Sequence, residues 1–366
     1  MDTDLTGPTG LTEGPRGRRL VLELTAGADE DVRMALFYLA YNAAVASGHS
    51  VALFGAADDG STFETHDTVE SPHSEEGLVR AIGRLGRLHP TSEELQEALR
   101  RSVDAAAYWQ PPGGEDIVAA VPAVRAALAE AGRDLADRAD TVWWTRDMTV
   151  TQWAVEFDPD GDGAPFDPAP GAVRAWREAT AKDEERSRRD RPTDPAAAWS
   201  GTWWSHPWGA PHTTGELPGG LPVGIPNVED SFGWTRAVAI PVRGTGRILE
   251  VRDGRDWANL CRTYPLEVTA ARRHDWYRVT GRDRRWLVPD WMRVAEEWDA
   301  VHLSAWAYLT AATREIVVDE ERSSVIGGWG PDETYWLTGR VREVEGPRVH
   351  WRADDQEGPW RRTGGA

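Results

Sequence analysis

The apolar positions at the start of the chain change period twice within forty residues. Leu20–Leu24 is a nearly continuous apolar run and reads as a short strand. Val32, Leu36, Leu39, Ala43 and Ala46 then recur at helical spacing. Asp29 stands in front of them as a cap and Gly48 behind as a stop, which predicts a helix over 30–47. Val51–Phe54 follows as a second strand, and strand, helix and strand at this spacing fit a right-handed parallel crossover. Residues 60–75 read as a polar loop. The pattern next predicts helices at 75–87, 93–107 and 121–138, then strands at Val142–Trp144 and Gln152–Phe157.

The second half is more broken. Strands are predicted at Gly201–Ser205, Arg236–Val242, Arg247–Val251, Arg285–Val288, Ala300–Leu303, Ser324–Gly328 and Thr334–Leu337. Short helices fit Arg255–Thr263, Asp290–Trp298 and Ala305–Ala312, and Val349–Ala366 reads as a frayed tail. Strands with interspersed helices and no regular alternation make the expected class α+β, an N-terminal α/β unit followed by a tryptophan-rich mixed-sheet domain.

Composition sharpens the division. The 366 residues are 40% hydrophobic and 28% charged, enough for a sizeable core and, by length, two domains. None of the 20 tryptophans lies in residues 1–108, whereas 13 lie from Trp199 to Trp336. Residues 177–198 are charge-dense and broken by Pro192 and Pro195, a composition that reads as a solvated linker. The expected organisation is a tail at 1–17, an α/β domain at 18–176, the linker at 177–198, the tryptophan-rich domain at 199–348 and a tail at 349–366. No apolar run approaches the roughly 20 residues of a membrane-spanning helix. Met1–Gly17 lacks the basic start and apolar stretch of a secretory signal, so a cytoplasmic protein is expected.

The net charge of -19 disfavours long nucleic acids and anionic membranes as partners. The cations are 40 Arg and a single Lys, and residues 243–293 carry a local excess of five positive charges. Such a stretch can attract a small anion, or it can consist of exposed partners for nearby acids. One cysteine, Cys261, excludes an intrachain disulfide; on a predicted helix it reads as buried and inert.

Motifs narrow the chemistry. Asp158-Pro-Asp160-Gly-Asp162-Gly163 begins like a calcium loop, but Ala169 stands where a bidentate Glu is needed, so an acidic turn is expected and no metal site. No G-x-G-x-x-G or P-loop sequence is present. His302 lies between two apolar strand residues, as either a core histidine or a catalytic one. The densest polar and aromatic grouping is Trp203-Trp204-Ser205-His206, then His212-Thr213-Thr214, then Glu229-Asp230-Ser231-Phe232-Gly233-Trp234. Five Pro and five Gly fall within 207–226, so these side chains sit on loops set by a scaffold. The indoles either fill a loop-rich core or offer flat faces for a sugar, a base or a cation.

Three resemblances follow. The opening strand, helix and strand loosely resemble small α/β sulfur-carrier proteins of the DsrE type in topology; no cysteine follows the second strand, so no activity is implied. Val228-Glu-Asp-Ser-Phe-Gly-Trp234, Cys261-Arg-Thr-Tyr-Pro265, Arg273-His-Asp-Trp276, Pro289-Asp-Trp291 through His302, and Gly328-Trp-Gly-Pro-Asp332 to Trp336 resemble an uncharacterised tryptophan-rich family of high-GC bacteria. That likeness spans residues 85–345 and implies no activity. More weakly, the order of motifs over about 220–337 resembles the ADP-ribosyltransferase fold, which holds NAD in a cleft between two small sheets. This resemblance implies an NAD-binding enzyme of ADP-ribosyl transfer or NAD glycohydrolase type. Glu229 would stabilise a ribosyl cation, with His302 as a further catalytic candidate. Trp204 and Trp234 would stack on rings, Ser205, Thr214 and Ser231 would orient the ligand, and Arg262 and Arg273 would meet the pyrophosphate. The competing expectation is a non-catalytic module whose tryptophans line a pocket for a sugar or a protein partner. The oligomeric state stays open.

Overall fold

The computed structural model describes residues 10–56, 62–166, 171–355 and 358–363. The chain is an α+β protein. Helix α1 (Pro15–Ala28) starts on a proline, whose missing N–H costs nothing in a first turn. It contains Leu20–Leu24, the run that reads as a strand. Leu20, Val21, Leu22 and Leu24 are all buried, because α1 is packed on several sides by its neighbours. A short apolar run buried all round carries no period that separates helix from strand. Helix α2 (Glu30–Ala46) begins where expected, with the Asp29 carboxylate accepting the Val32 N–H.

The second expected strand is present as β1 (Leu53–Ala56), but it pairs antiparallel with β2 (Thr62–Thr65). The parallel crossover is therefore replaced by a hairpin beside a helical bundle. Helices α3 (Glu75–Leu85), α4 (Ser92–Asp104), α5 (Gly114–Ala120) and α6 (Pro122–Ala131) complete that bundle. Residues Ala139–Thr145 form a 3₁₀ turn instead of a strand. Trp143 and Trp144 are both buried there, whereas a strand would send consecutive side chains to opposite faces.

Strand β3 (Thr151–Phe157) enters the main sheet, and helix α7 (Ala172–Asp190) follows. Where the charge pattern predicts a solvated linker, Thr180, Glu184 and Ser187 of α7 are buried, on the helix that also buries Trp176 just before it. The Glu184 carboxylate accepts the N–H groups of Ala270 and Ala271. Next come β4 (His212–Thr214), β5 (Arg236–Gly244), β6 (Ile248–Val251), α8 (Gly254–Thr263), β7 (Pro265–Glu267) and α9 (Thr269–Thr280). The chain continues through β8 (Arg285–Pro289), α10 (Trp291–Val294), β9 (Ala300–Leu303), α11 (Ala305–Ala311), β10 (Ile316–Val317) and β11 (Arg322–Ser324). It ends with β12 (Glu333–Trp336), β13 (Val341–Glu343), β14 (Val349–Arg352) and β15 (Arg361–Thr363). Gly201–Ser205 is not a strand, and the expected helix at 290–298 shrinks to one turn. The expected frayed tail instead supplies β14, paired with β5, and β15.

The main sheet runs β15-β14-β5-β3-β4-β12-β9-β6, with β13 also lying along β5. Its pairs are antiparallel except β6 with β9. A smaller sheet runs β10-β11-β8-β7. One hydrophobic core is continuous from Leu11 and Leu20 in the helical half to Trp329 and Leu337 in the sheet half. Trp144, Trp176, Trp257, Trp276, Trp286, Trp291, Trp329 and Trp336 are fully buried. Several meet edge to face, as Trp257 does with Trp329 at 5.8 Å and Trp276 with Trp286 at 5.3 Å, the arrangement indole quadrupoles favour. Among the described residues, no helix is long and apolar enough to cross a membrane.

Candidate functional site

A cleft of about 320 Å³ opens between one face of the main sheet and the loops around residues 203–204, 224–234 and 328–331. Strand alternation supplies its floor. Trp153, Val155 and Phe157 are alternate residues of β3, and Glu333 and Tyr335 alternate on β12. Thr214 of β4 is in register with both Trp153 and Glu333, which places the three side by side across three strands. Trp203, Trp204, Trp234 and Trp329 form the walls. Trp234 stacks on Phe157 at 4.4 Å, and Trp203 stacks on Tyr108 at 4.9 Å. The Tyr335 ring lies against His206 at 4.8 Å and His212 at 5.3 Å.

Two carboxyl groups enter this cleft in opposite environments. Glu229 Oε1 is 2.9 Å from the Tyr108 hydroxyl and 3.0 Å from that of Tyr308, and Oε2 accepts the Gly328 N–H at 2.9 Å. Burial pushes its pKa up to about 8, against the opposing pull of the tyrosine hydroxyls, Arg16 and the Gly328 amide. Gly328 can present that amide because it takes a φ of +78°, and a Cβ there would run into Trp204 and His206. Glu333 lies 2.6 Å from His212 Nδ1 and accepts the Gly330 N–H at 2.6 Å. Burial alone would raise its pKa, but His212 and the Gly330 amide hold it below the usual carboxylate value. His212 is raised in turn, its own burial outweighed by Glu333.

Three polar atoms on cleft-lining residues are buried without a hydrogen-bond partner: Thr214 Oγ1, Asn227 Oδ1 and Trp329 Nε1. The Asn227 amide nitrogen is anchored on the Val223 carbonyl at 2.8 Å, which fixes the orientation of the side chain. Among the described lining residues there is no Arg or Lys.

The sequence-predicted residues divide. Trp204, Thr214, Glu229 and Trp234 all line the cleft. Ser205 is buried behind it, exchanging hydrogen bonds with the Gly327 backbone. Ser231 is exposed, its N–H held by Asp104. Arg262 lies over a different hollow beside α8, bonded to Asn259 and the Val318 carbonyl, and Arg273 is bonded to the Thr193 carbonyl. The expectation that these guanidiniums face the indole-lined hollow is therefore corrected. The basic stretch is spent on ion pairs such as Arg285 with Glu267 and on carbonyl oxygens, and the charged groups of the cleft lining are two carboxyls and His212. Another member of that stretch, buried Arg272, donates from Nε to the Trp204 carbonyl at 3.3 Å.

His302 does not line the cleft. It lies fully buried in β9, with Nδ1 2.6 Å from Glu250 and Nε2 3.5 Å from Asp332. Cys261 is buried, and burial pushes its thiol up to about 12. Among the described residues, no cluster of three or more His, Cys, Asp or Glu is placed to hold a metal ion.

Tyr108, Asn227, Tyr308, Glu333 and the buried, unpartnered Trp329 N–H are the site groups that sequence reasoning missed. Glu333 follows the Gly328–Asp332 motif directly, the one signal that could have pointed to it. Tyr108 and Tyr308 reach Glu229 only through tertiary packing. Comparison of the chain with protein-family models, with curated proteins and with solved structures returns no match.

Proposed function

We propose that the cleft binds a small polyhydroxylated ring, either a neutral or amine-bearing sugar or the sugar of a nucleoside. The observation that carries this reading is that three residues lining a hollow walled by indoles, Thr214, Asn227 and Trp329, each keep a buried polar atom without a hydrogen-bond partner. An unmade hydrogen bond at a buried atom costs roughly 1–3 kcal/mol, which a hydroxyl-bearing ligand recovers. A hydroxyl both donates and accepts, so it suits the mixed set of an amide oxygen, a threonine hydroxyl and an indole N–H. Indole faces suit the C–H faces of a sugar ring. The volume of about 320 Å³ stands at the small end of ligand pockets, which fits one ring better than a dinucleotide.

Charge narrows the ligand further. NAD would bring two phosphates toward Glu333 with no Arg or Lys among the described lining residues. The uncharged part of such a ligand, a ribosyl ring carrying a base, fits where the pyrophosphate does not.

Tryptophan fluorescence of the purified protein, titrated with hexoses, hexosamines, nicotinamide riboside and NAD, tests the reading. The expected result is a saturable change with a sugar or riboside, weakened about tenfold or more in Asn227→Ala, the equivalent of roughly 1.4 kcal/mol. NAD binding more tightly than nicotinamide riboside, or no response to any sugar, would overturn it.

A further inference from the structure

We propose that Glu229 is a neutral carboxylic acid at neutral pH and the proton donor of the cleft, and that the protein hydrolyses the acetal bond of a glycoside held there. This rests on the sugar reading above and adds chemistry to it.

The Tyr108 hydroxyl lies 2.9 Å from Glu229 Oε1 and 3.0 Å from the Ile326 carbonyl oxygen. A phenol has one proton, and a carbonyl only accepts. When Tyr108 donates to Ile326, the remaining contact closes only if Glu229 Oε1 carries a proton and donates it to Tyr108. Tyr308 then donates to Oε1 and Gly328 to Oε2, so the neutral acid satisfies every contact. The ionised form draws the Tyr108 proton to itself and leaves the Ile326 carbonyl with the Thr313 N–H at 3.4 Å.

The charged surroundings agree. From the helices behind the cleft, Tyr108 follows α4, Tyr308 stands on α11 and Arg16 on α1. Arg16 is already committed to Asp116, the Ser102 carbonyl and Thr313. Its charge reaches Glu229 without neutralising it, and burial holds the carboxyl up near 8. On the sheet side stands Glu333, ionised beside His212. Two carboxyls kept in opposite states within one cleft are the pair that acetal cleavage uses.

The step balances. The proton that Glu229 Oε1 shares with Tyr108 passes to the leaving oxygen as Tyr108 turns its own proton from the Ile326 carbonyl to the carboxylate, and the bond from the leaving oxygen to the acetal carbon breaks with its electron pair going to that oxygen. The positive charge that develops on the ring faces the Glu333 carboxylate. A water oxygen bonds to the carbon, and the Glu229 carboxylate just formed takes the proton that this water releases. The products are a hemiacetal and an alcohol, and Glu229 is restored.

The probes are the 4-methylumbelliferyl and 2,4-dinitrophenyl glycosides of whichever sugar saturates the fluorescence titration. The wild type is expected to hydrolyse both. In kcat/KM, which reports departure of the leaving group, Glu229→Gln should lose on the order of 100-fold or more on the first and under tenfold on the second, whose leaving group departs without a proton. Tyr308→Phe removes a hydrogen bond that favours the ionised acid, so the alkaline limb of its pH profile should move up. The infrared spectrum at pH 7 should carry a carboxylic-acid carbonyl band that Glu229→Gln lacks. Equal losses on both glycosides, or no such band, would overturn the assignment. A protein that binds no sugar fails the binding reading, whereas one that binds sugar and hydrolyses neither glycoside fails this one alone.

Discussion

The buried histidine beneath the cleft gives a prediction that can be worked through in full. His302 is in register with Glu250 on β6 and with Thr334 on β12, so the sheet itself delivers Glu250 to its Nδ1. Asp332 takes a φ of +58° and accepts the Gly215 N–H, which fixes its carboxylate 3.5 Å from Nε2, an ion pair longer than a hydrogen bond. Burial alone would lower the imidazolium pKa, but the two carboxylates overcome it and raise it to about 9. Measured from an unfolded value near 6.5, that shift is worth about 3 kcal/mol, using roughly 1.4 kcal/mol per unit. The folded state binds this proton more tightly. The contribution is therefore present in full below about pH 6.5 and is lost as the pH rises toward 9. Urea unfolding of the wild type and His302→Gln at about pH 6 and pH 9.5 isolates it. The difference between the two proteins cancels the decline that Glu229 causes in both between its unfolded value and about 8. The wild type should lose about 3 kcal/mol more than the variant across that range. At pH 6 the variant should be less stable by roughly 3–5 kcal/mol, because Glu250 and Asp332 lose the cation between them. Parallel pH profiles for the two proteins, or a His302 ring nitrogen that titrates near 6.5 by NMR, would refute the reasoning.

Three further expectations concern the scaffold. A Cβ at Gly244 of β5 would overlap the Trp336 ring, so Gly244→Ala should destabilise by about 1–3 kcal/mol in thermal melts, whereas Gly339→Ala, with open space around it, should not. Thr91 and Glu94 form a reciprocal capping box at the start of α4, and Thr91→Ala should cost about 1 kcal/mol of unfolding free energy without changing any ligand titration. Cys261 should resist thiol reagents in the native protein and react at once in denaturant; fast native labelling would place it outside the core.

Elements whose signals are local were legible in the sequence. The Asp29 cap, the periodic face of α2, the strand at 152–157 and the segments at 236–242, 247–251 and 300–303 stand where pattern places them, because capping and alternation act over a few residues. Within the site, Trp204, Thr214, Glu229 and Trp234 were legible because a loop crowded with Pro, Gly, indoles and hydroxyls has little reason to exist without a scaffold to set it. The tertiary structure alone decided how each apolar or charged segment was used. Leu20–Leu24 became part of a buried helix of the bundle, and a charge-dense stretch buried Thr180, Glu184 and Ser187 of α7. It alone decided which charged groups line the cleft. The Arg residues of 243–293 are close in sequence yet point to different acids and carbonyls, while Glu333 comes to the site across β4 and β12. Electrostatic character belongs to distances in space, and Tyr108 and Tyr308, which hydrogen-bond Glu229, are 121 and 79 residues away from it along the chain.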